Sequence, residues 1–207
     1  IQIKDPTNPV RAHRRGGKVE FKNVTFTYPG AAEPVLHNIS FVALPGETTA
    51  FVGSTGSGKS TIINLIPRFY EVTEGQVLVD DVDVRAMRQK DLRARIGYVS
   101  QKAMLFSGTI RDNITYGNPN ATQEEIFRAA ATAQALEFIK ELEGKFDSSI
   151  AQAGTNFSGG QKQRLAIARA LAKNPELYLF DDSFSALDFQ TDKALRNALK
   201  EEAQGKT

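Results

Sequence analysis

"GSTGSGKS", Gly53 to Ser60, is the stretch from which the rest of the sequence can be ordered. It satisfies G-x-x-x-x-G-K-[ST]. Thr48 to Val52 reads as a strand running into it, and "TIINLIPRF" as a helix running out, with Ile62, Ile63, Leu65, Ile66 and Phe69 on an apolar face. Pro67 should end or kink that helix. Each residue type has a task. Gly53, Gly56 and Gly58 let backbone N–H groups approach phosphate oxygens, with Ser54, Thr55 and Ser57 completing the loop. Lys59 supplies a cation at the β- and γ-phosphates, the Ser60 hydroxyl can bind Mg²⁺, and Thr61 opens the helix whose positive end adds a favourable field. A bland Gly/Ser turn would not need the lysine, the serine and both flanking elements together.

A phosphate loop needs a metal-holding acid at the end of a neighbouring strand. "LYLFDDSFSALD", Leu177 to Asp188, offers one: a continuous apolar run, the pattern of a strand buried on both faces of a largely parallel sheet, ends in Asp181 and Asp182. Asp181 fits the Mg²⁺ acid, and Asp182 can orient the water that attacks the γ-phosphate.

Composition narrows the classes. The 207 residues suit one domain, or one with an inserted subdomain, and 41% apolar with 24% charged residues is ordinary for a globular chain. Lysine and arginine total 26 against 24 acids, so a net charge of +2 indicates no nucleic acid or other polyanion as partner. "RAHRR", Arg11 to Arg15, is too short to change that and reads as solvated linker. There is no cysteine, which excludes disulfides and thiolate metal sites. Nothing approaches the ~18 uninterrupted apolar residues of a membrane span, and no secretory signal is recognisable, so a cytoplasmic placement is expected.

Along the chain, residues 1–17, with Pro6, Pro9, Gly16 and Gly17, read as a linker, and 18–207 as the ATP-binding domain. "KVEFKNVTFTY" alternates as a half-solvated strand, "LHNISFVA" adds another before a turn at Pro45-Gly46, and "QVLVDDVDV" and "RIGYVSQ" supply more. Residues 109–173 are helix-rich: Thr122 with Glu125 has capping-box spacing, and a helix opens at Ser158 and stops before Asn174-Pro175. The expected fold is α/β: a P-loop NTPase (RecA-like) core with an antiparallel β portion and an inserted helical subdomain.

With "FSGGQKQRLAIARAL", Phe157 to Leu171, between the loop and the acid-ended strand, the chain from about Lys18 onward resembles the nucleotide-binding domain of ABC transporters of the multidrug and lipid exporter type. The resemblance implies ATP and Mg²⁺ as ligands. It implies that Tyr28 stacks on adenine and that Gln101 meets Mg²⁺ and the attacking water. It also implies that Ser158, Gly159, Gly160 and Gln161 act in trans on ATP bound to a second domain packed head to tail. "SALD", Ser185 to Asp188, resembles the loop crossing that interface, and "LFSGTIRDNI", Leu105 to Ile114, follows the exporter pattern. The implied partners are a second such domain and the transmembrane domain of the same transporter, at the cytoplasmic face of the membrane; that residues 1–17 are the linker from that membrane domain is implied by the resemblance alone. A chromosome-maintenance ATPase would carry a long coiled coil between loop and signature, and only a compact helical stretch separates them here. A ribosome-associated type is disfavoured by "YVSQKAMLF" and the modest charge.

Two departures matter. Asp182 stands where the family has glutamate, and losing one methylene withdraws the carboxylate by roughly 1.5 Å. A ~1 Å misplacement can cost about 100-fold, or about 2.7 kcal/mol of barrier. The expectation is an ATP site that binds but hydrolyses slowly, as in the impaired half of a heterodimeric exporter; Gln152, where exporters commonly have glutamate, agrees. A non-hydrolytic regulatory clamp and a homodimeric exporter tolerating aspartate are the alternatives. Second, the family's next strand ends in a histidine at the γ-phosphate, whereas His13 and His37 lie far upstream. The sequence is therefore expected to be a piece of a longer protein with its C-terminal part missing, not catalytically competent by itself.

Overall fold

A computed structural model describes residues 3–12 and 16–207; His13 to Arg15, most of the basic stretch, lie outside the described residues. The chain forms two compact units, Ile1–Ile96 with Gly205–Thr207, and Gly97–Gln204. Among the described residues, no helix is long and apolar enough to cross a membrane.

In the first unit the alternating stretch forms β1 (Val19–Phe26), which buries Val19, Phe21, Val24 and Phe26. Phe21 and Val24 are an odd number of residues apart, and strict alternation would put them on opposite faces. A bulge resolves this. Phe21 to Val24 in β1 spans Phe41 to Ile39 in β2 (Leu36–Ala43), with Asn23 at φ 48°. After β2 come α1 (Lys59–Leu65), which stops just ahead of Pro67, β3 (Glu74–Val79), β4 (Val82–Asp83) and α2 (Gln89–Ala94). The four strands make an antiparallel sheet in the order β2-β1-β3-β4. Gly75 of β3 faces the bulge at φ +79°, where a Cβ would collide with the Lys22 and Asn23 carbonyl oxygens. No other residue fits there.

One expected element is missing. Thr48–Val52 is not a strand: it has no ladder partner among the described residues, and Val52 is 95% exposed. High β-propensity does not make a strand without a neighbour to bond to. The described part of residues 1–17 is hydrogen-bonded to the rest of the first unit. The Arg68 guanidinium donates to the Lys4 carbonyl, the Gln89 N–H to the Asp5 carboxylate, and the Val10 N–H to the Ala86 carbonyl.

The second unit takes in β5 (Ile96–Val99) from Gly97 onward, which pairs with β8 (Leu177–Phe180), the fully apolar strand read from the sequence. Between them lie β6 (Gly108–Thr109), α3 (Ile110–Thr115), α4 (Gln123–Thr132), α5 (Leu136–Glu141), β7 (Ser149–Ile150) and α6 (Gly159–Ala172); β6 and β7 pair antiparallel. α7 (Phe189–Glu202) closes the unit. α3 and α4 pack on α6, whose Leu165, Ile167, Ala168 and Leu171 are almost wholly buried in the core. α6 ends at Ala172, and Asn174 takes the left-handed conformation at φ 51° ahead of Pro175.

Among the described residues, three helices start with reciprocal capping boxes: Thr109 with Asp112, Thr122 with Glu125, and Ser158 with Gln161. The N–H and hydroxyl groups of Thr109 and Thr122 hold the Asp112 and Glu125 carboxyls below the usual carboxylate range. Asp188, capping α7 through the Thr191 hydroxyl and N–H, is likewise lowered. A folded-state pKa below the unfolded value gives stability that is complete above the unfolded value and disappears as pH falls through the folded one. The second unit should therefore lose helical protection below the ordinary carboxylate range. Hydrogen exchange at the starts of α3, α4 and α7, followed from neutral pH downward, should show these helix ends opening before the core of α6. The Ser158–Gln161 box contains no carboxylate and should show no such step.

Candidate functional site

In the first unit the glycine-rich loop follows the irregular stretch 48–52 and enters α1 with Gly56 and Gly58 at φ +83° and +90°, conformations that side chains resist. A Cβ on Gly58 would also press into the Leu36 side chain at 2.8 Å. Gly53 to Ser57 are exposed, so the loop presents its backbone outward. The Lys59 ammonium folds back across it, donating to the Gly53 carbonyl at 2.8 Å, the Ser54 carbonyl at 2.7 Å and the Ser57 hydroxyl at 3.5 Å. These contacts place a cation over a ring of backbone, where an anion with several oxygens can be received. Ser60 lies exposed on the first turn of α1, and Thr61 next to it is buried and hydrogen-bonded at 2.9 Å to the Tyr28 hydroxyl.

In the second unit the acids at the end of β8 diverge. Asp181 is buried, and its N–H donates to the Val99 carbonyl at 3.0 Å; the Ser183 hydroxyl donates to the same carbonyl at 2.8 Å. Asp182 is exposed, with its backbone at φ 45°, and its carboxylate accepts from the Gln101 side-chain amide at 3.1 Å. The two residues expected to handle the attacking water therefore meet, although 81 positions separate them. The signature residues open α6, with Ser158 as cap and Gly159 exposed. Their glycines differ. A Cβ on Gly160 would meet the Ala186 carbonyl oxygen at 3.2 Å and the Leu187 side chain at 3.8 Å, whereas a Cβ on Gly159 would meet nothing within 4 Å. The fold explains the first glycine and not the second.

The sequence reading missed two contributors. Gln163, on the buried side of α6, donates to the Ser100 carbonyl at 3.3 Å and ties the signature helix to the residue before Gln101. Nothing in the polar run Gln161 to Arg164 marks it as the buried one. Ser183 is 1% exposed and anchors the turn after the acids, a role that Ser in a loop does not announce. Among the described residues there is no cluster of three or more His, Cys, Asp or Glu that could hold a metal ion.

A lysine-gripped phosphate loop and a serine-capped glycine helix, carried on one chain, place it among the P-loop ATPases. More narrowly, the chain belongs to the ABC transporter family, whose profile residues 36–185 match. It is an ABC-type ATPase domain with the fold of one: a solved structure described as a bacterial Atm1-family ABC exporter with ATP bound superposes with a TM-score of 0.93 at 39% identity, over 100% of this chain and 36% of that one. Relatives include a β-(1→2)-glucan export ATP-binding/permease protein of Rhodopseudomonas palustris, 45% identical over 205 residues (99% of this chain, 34% of that protein). An ATP-dependent lipid A-core flippase of Methylobacillus flagellatus is 46% identical over 195 residues, 94% of this chain and 33% of that protein. The chain thus spans about a third of the length of the curated relatives it matches.

Proposed function

We propose that this domain is the ATP-driven motor of a membrane exporter at the cytoplasmic face, working as a head-to-tail pair with a second ABC domain. Gly53 to Thr61 receive the triphosphate, with Lys59 leaving its loop carbonyls for the β- and γ-phosphates, and Tyr28 takes the adenine. Ser60, Asp181 and Gln101 are assigned to Mg²⁺. Their donors are all oxygens, a hydroxyl, a carboxylate and an amide carbonyl, which suits a hard cation that keeps waters and phosphate oxygens as its other ligands. When bound, the metal neutralises charge developing on the phosphates. Ser158, Gly159, Gly160 and Gln161 serve the nucleotide of the partner domain.

The observation that carries the reading is Gly159. A helix start gains from almost any residue other than glycine when nothing crowds the position, so a glycine with open space around it points to something from outside that must approach closely. The exporter assignment rests on the resemblance of the chain to the ATP-binding portion of export and flippase proteins.

The domain's own site is impaired. Asp182 is one methylene short and is turned toward Gln101, so its carboxylate stands back from where a glutamate's would lie. The pairing is therefore with a different half that carries glutamate, and the intact signature of this chain completes that half's working site. In the assembled two-half protein, Asp182→Asn should leave ATP turnover nearly unchanged, while amidating the matching acid of the other half should lower it about 100-fold. Brisk turnover by this half measured alone with Asp182→Glu would count against the assignment.

A further inference from the structure

The aromatic assigned to the base is held at several points, by the Thr61 hydroxyl of the phosphate site and by Tyr70, a ring the function does not account for. Tyr28 lies two residues past the buried Phe26, and the two rings meet edge to face, centroids 4.8 Å apart and planes at 80°. Tyr70 meets the Tyr28 ring edge to face as well, at 5.2 Å and 86°, and touches Phe26 at 5.7 Å. The far end of Tyr28 is fixed by the 2.9 Å bond between its hydroxyl and that of Thr61, two residues beyond Lys59. All four belong to the first unit.

Tyr70 is not placed by chance. Past Pro67 the chain turns at Arg68, which adopts φ 55° and is 4% exposed, and the Phe69 N–H bonds back to the Asn64 carbonyl. The Arg68 guanidinium pairs with Glu71 and donates to the Lys4 and Met87 carbonyls, fixing the residues on both sides of Tyr70. Tyr70 itself stays 37% exposed and Tyr28 half-buried, so the pair sits at the surface and not in the core.

We propose that Tyr70 is a positioning residue for the nucleobase: its ring, with the Thr61 hydroxyl at the opposite end, sets the plane of Tyr28 at a fixed distance from the phosphate loop. This rests on the reading that Tyr28 takes the base. A tyrosine on a free loop would have to surrender its own side-chain freedom on binding; one already held loses less, and the nucleotide binds more tightly. Because Thr61 lies on the helix that follows the loop, the arrangement also registers base and triphosphate subsites to each other, and favours ligands in which both ends are present.

The test compares two probes on the full-length protein, Mg-ATP and Mg-tripolyphosphate, which shares the phosphates and lacks the base. Edge-to-face aromatic pairs are worth enough that Tyr70→Ala should weaken ATP about 2- to 10-fold. Tripolyphosphate affinity should stay the same, and Tyr70→Phe should restore ATP binding. Should Tyr70→Ala fail to fold, Tyr70→Leu, which fills the space without an aromatic edge, gives the same comparison. Unchanged ATP affinity, or equal losses for both probes, would overturn the role, the second outcome showing a merely structural ring. Tyr28→Ala separates the levels. If it weakens ATP while Tyr70→Ala does not, only the positioning role falls; if it leaves ATP binding intact, the base assignment falls too.

Discussion

Gly159→Ala in the full-length protein, assembled with its partner, is expected to keep its thermal midpoint and lose ATP turnover by about 100-fold, the cost of displacing a reacting group by about one ångström. A Cβ at this position meets no atom of the chain within 4 Å, and alanine is the better helix former, so folding should not suffer. The methyl group would instead stand between the exposed start of α6 and whatever approaches it. If that is the triphosphate on the second domain, both ATP-driven association, followed by sizing in Mg-ATP, and turnover must fall together. Gly160→Ala is a poorer probe, because its Cβ presses on the Ala186 carbonyl at 3.2 Å and disturbs the "SALD" loop directly. Normal turnover by the Gly159 variant would remove the in-trans role of this helix.

Asp80→Ala should lower the stability of the first unit by about 3 to 5 kcal/mol, the range for removing one partner of a buried ion pair. Asp80 is 7% exposed and sits at the β3–β4 turn with φ 47°. Its carboxylate accepts from the N–H groups of Gly16 and Gly17 at 3.3 Å and of Lys18 at 3.0 Å, and pairs with the Arg95 guanidinium, whose side chain is 12% exposed. Alanine takes the carboxylate from all four donors, and a buried donor without its acceptor keeps its desolvation cost. Asp80→Asn retains an acceptor but not the charge, so its loss should be smaller. Denaturant midpoints for the two variants decide the point: equal losses near zero would mean that the carboxylate contributes no more than a surface acid. The same site joins the start of β1 to the end of β3, so proteolysis near Gly16 and Gly17 should accelerate in the alanine variant.

Much of this was readable beforehand because it is local chemistry. The Gly53–Ser60 loop announces itself by residue types at fixed spacing, since left-handed turns need glycine and a phosphate needs a lysine and a hydroxyl within one helical turn. The Thr122–Glu125 box, the start of α6 at Ser158, and the stops of α1 and α6 ahead of Pro67 and Pro175 follow from caps and prolines a few residues away. The run Leu177 to Phe180 became a strand because continuous apolar character finds no other stable place. Thr48 to Val52 had equally good composition and did not, since a strand needs a bonded neighbour that composition cannot supply.

The sequence by itself determined the chemistry: a phosphate loop, a strand ending in two aspartates, and a serine-capped helix that opens on two glycines, all written in contiguous residues. Only the tertiary structure decided that Gly160 is a packing glycine while Gly159 faces open space, that Gln101 reaches Asp182, and that Tyr70 and Thr61 hold Tyr28. It also decided that a bulge at Asn23 keeps β1 in phase and obliges Gly75 opposite it. The physical reason is distance along the chain. Motif chemistry is fixed by neighbours in sequence, whereas steric room and hydrogen-bond reach between residues tens of positions apart exist only once the backbone has been placed.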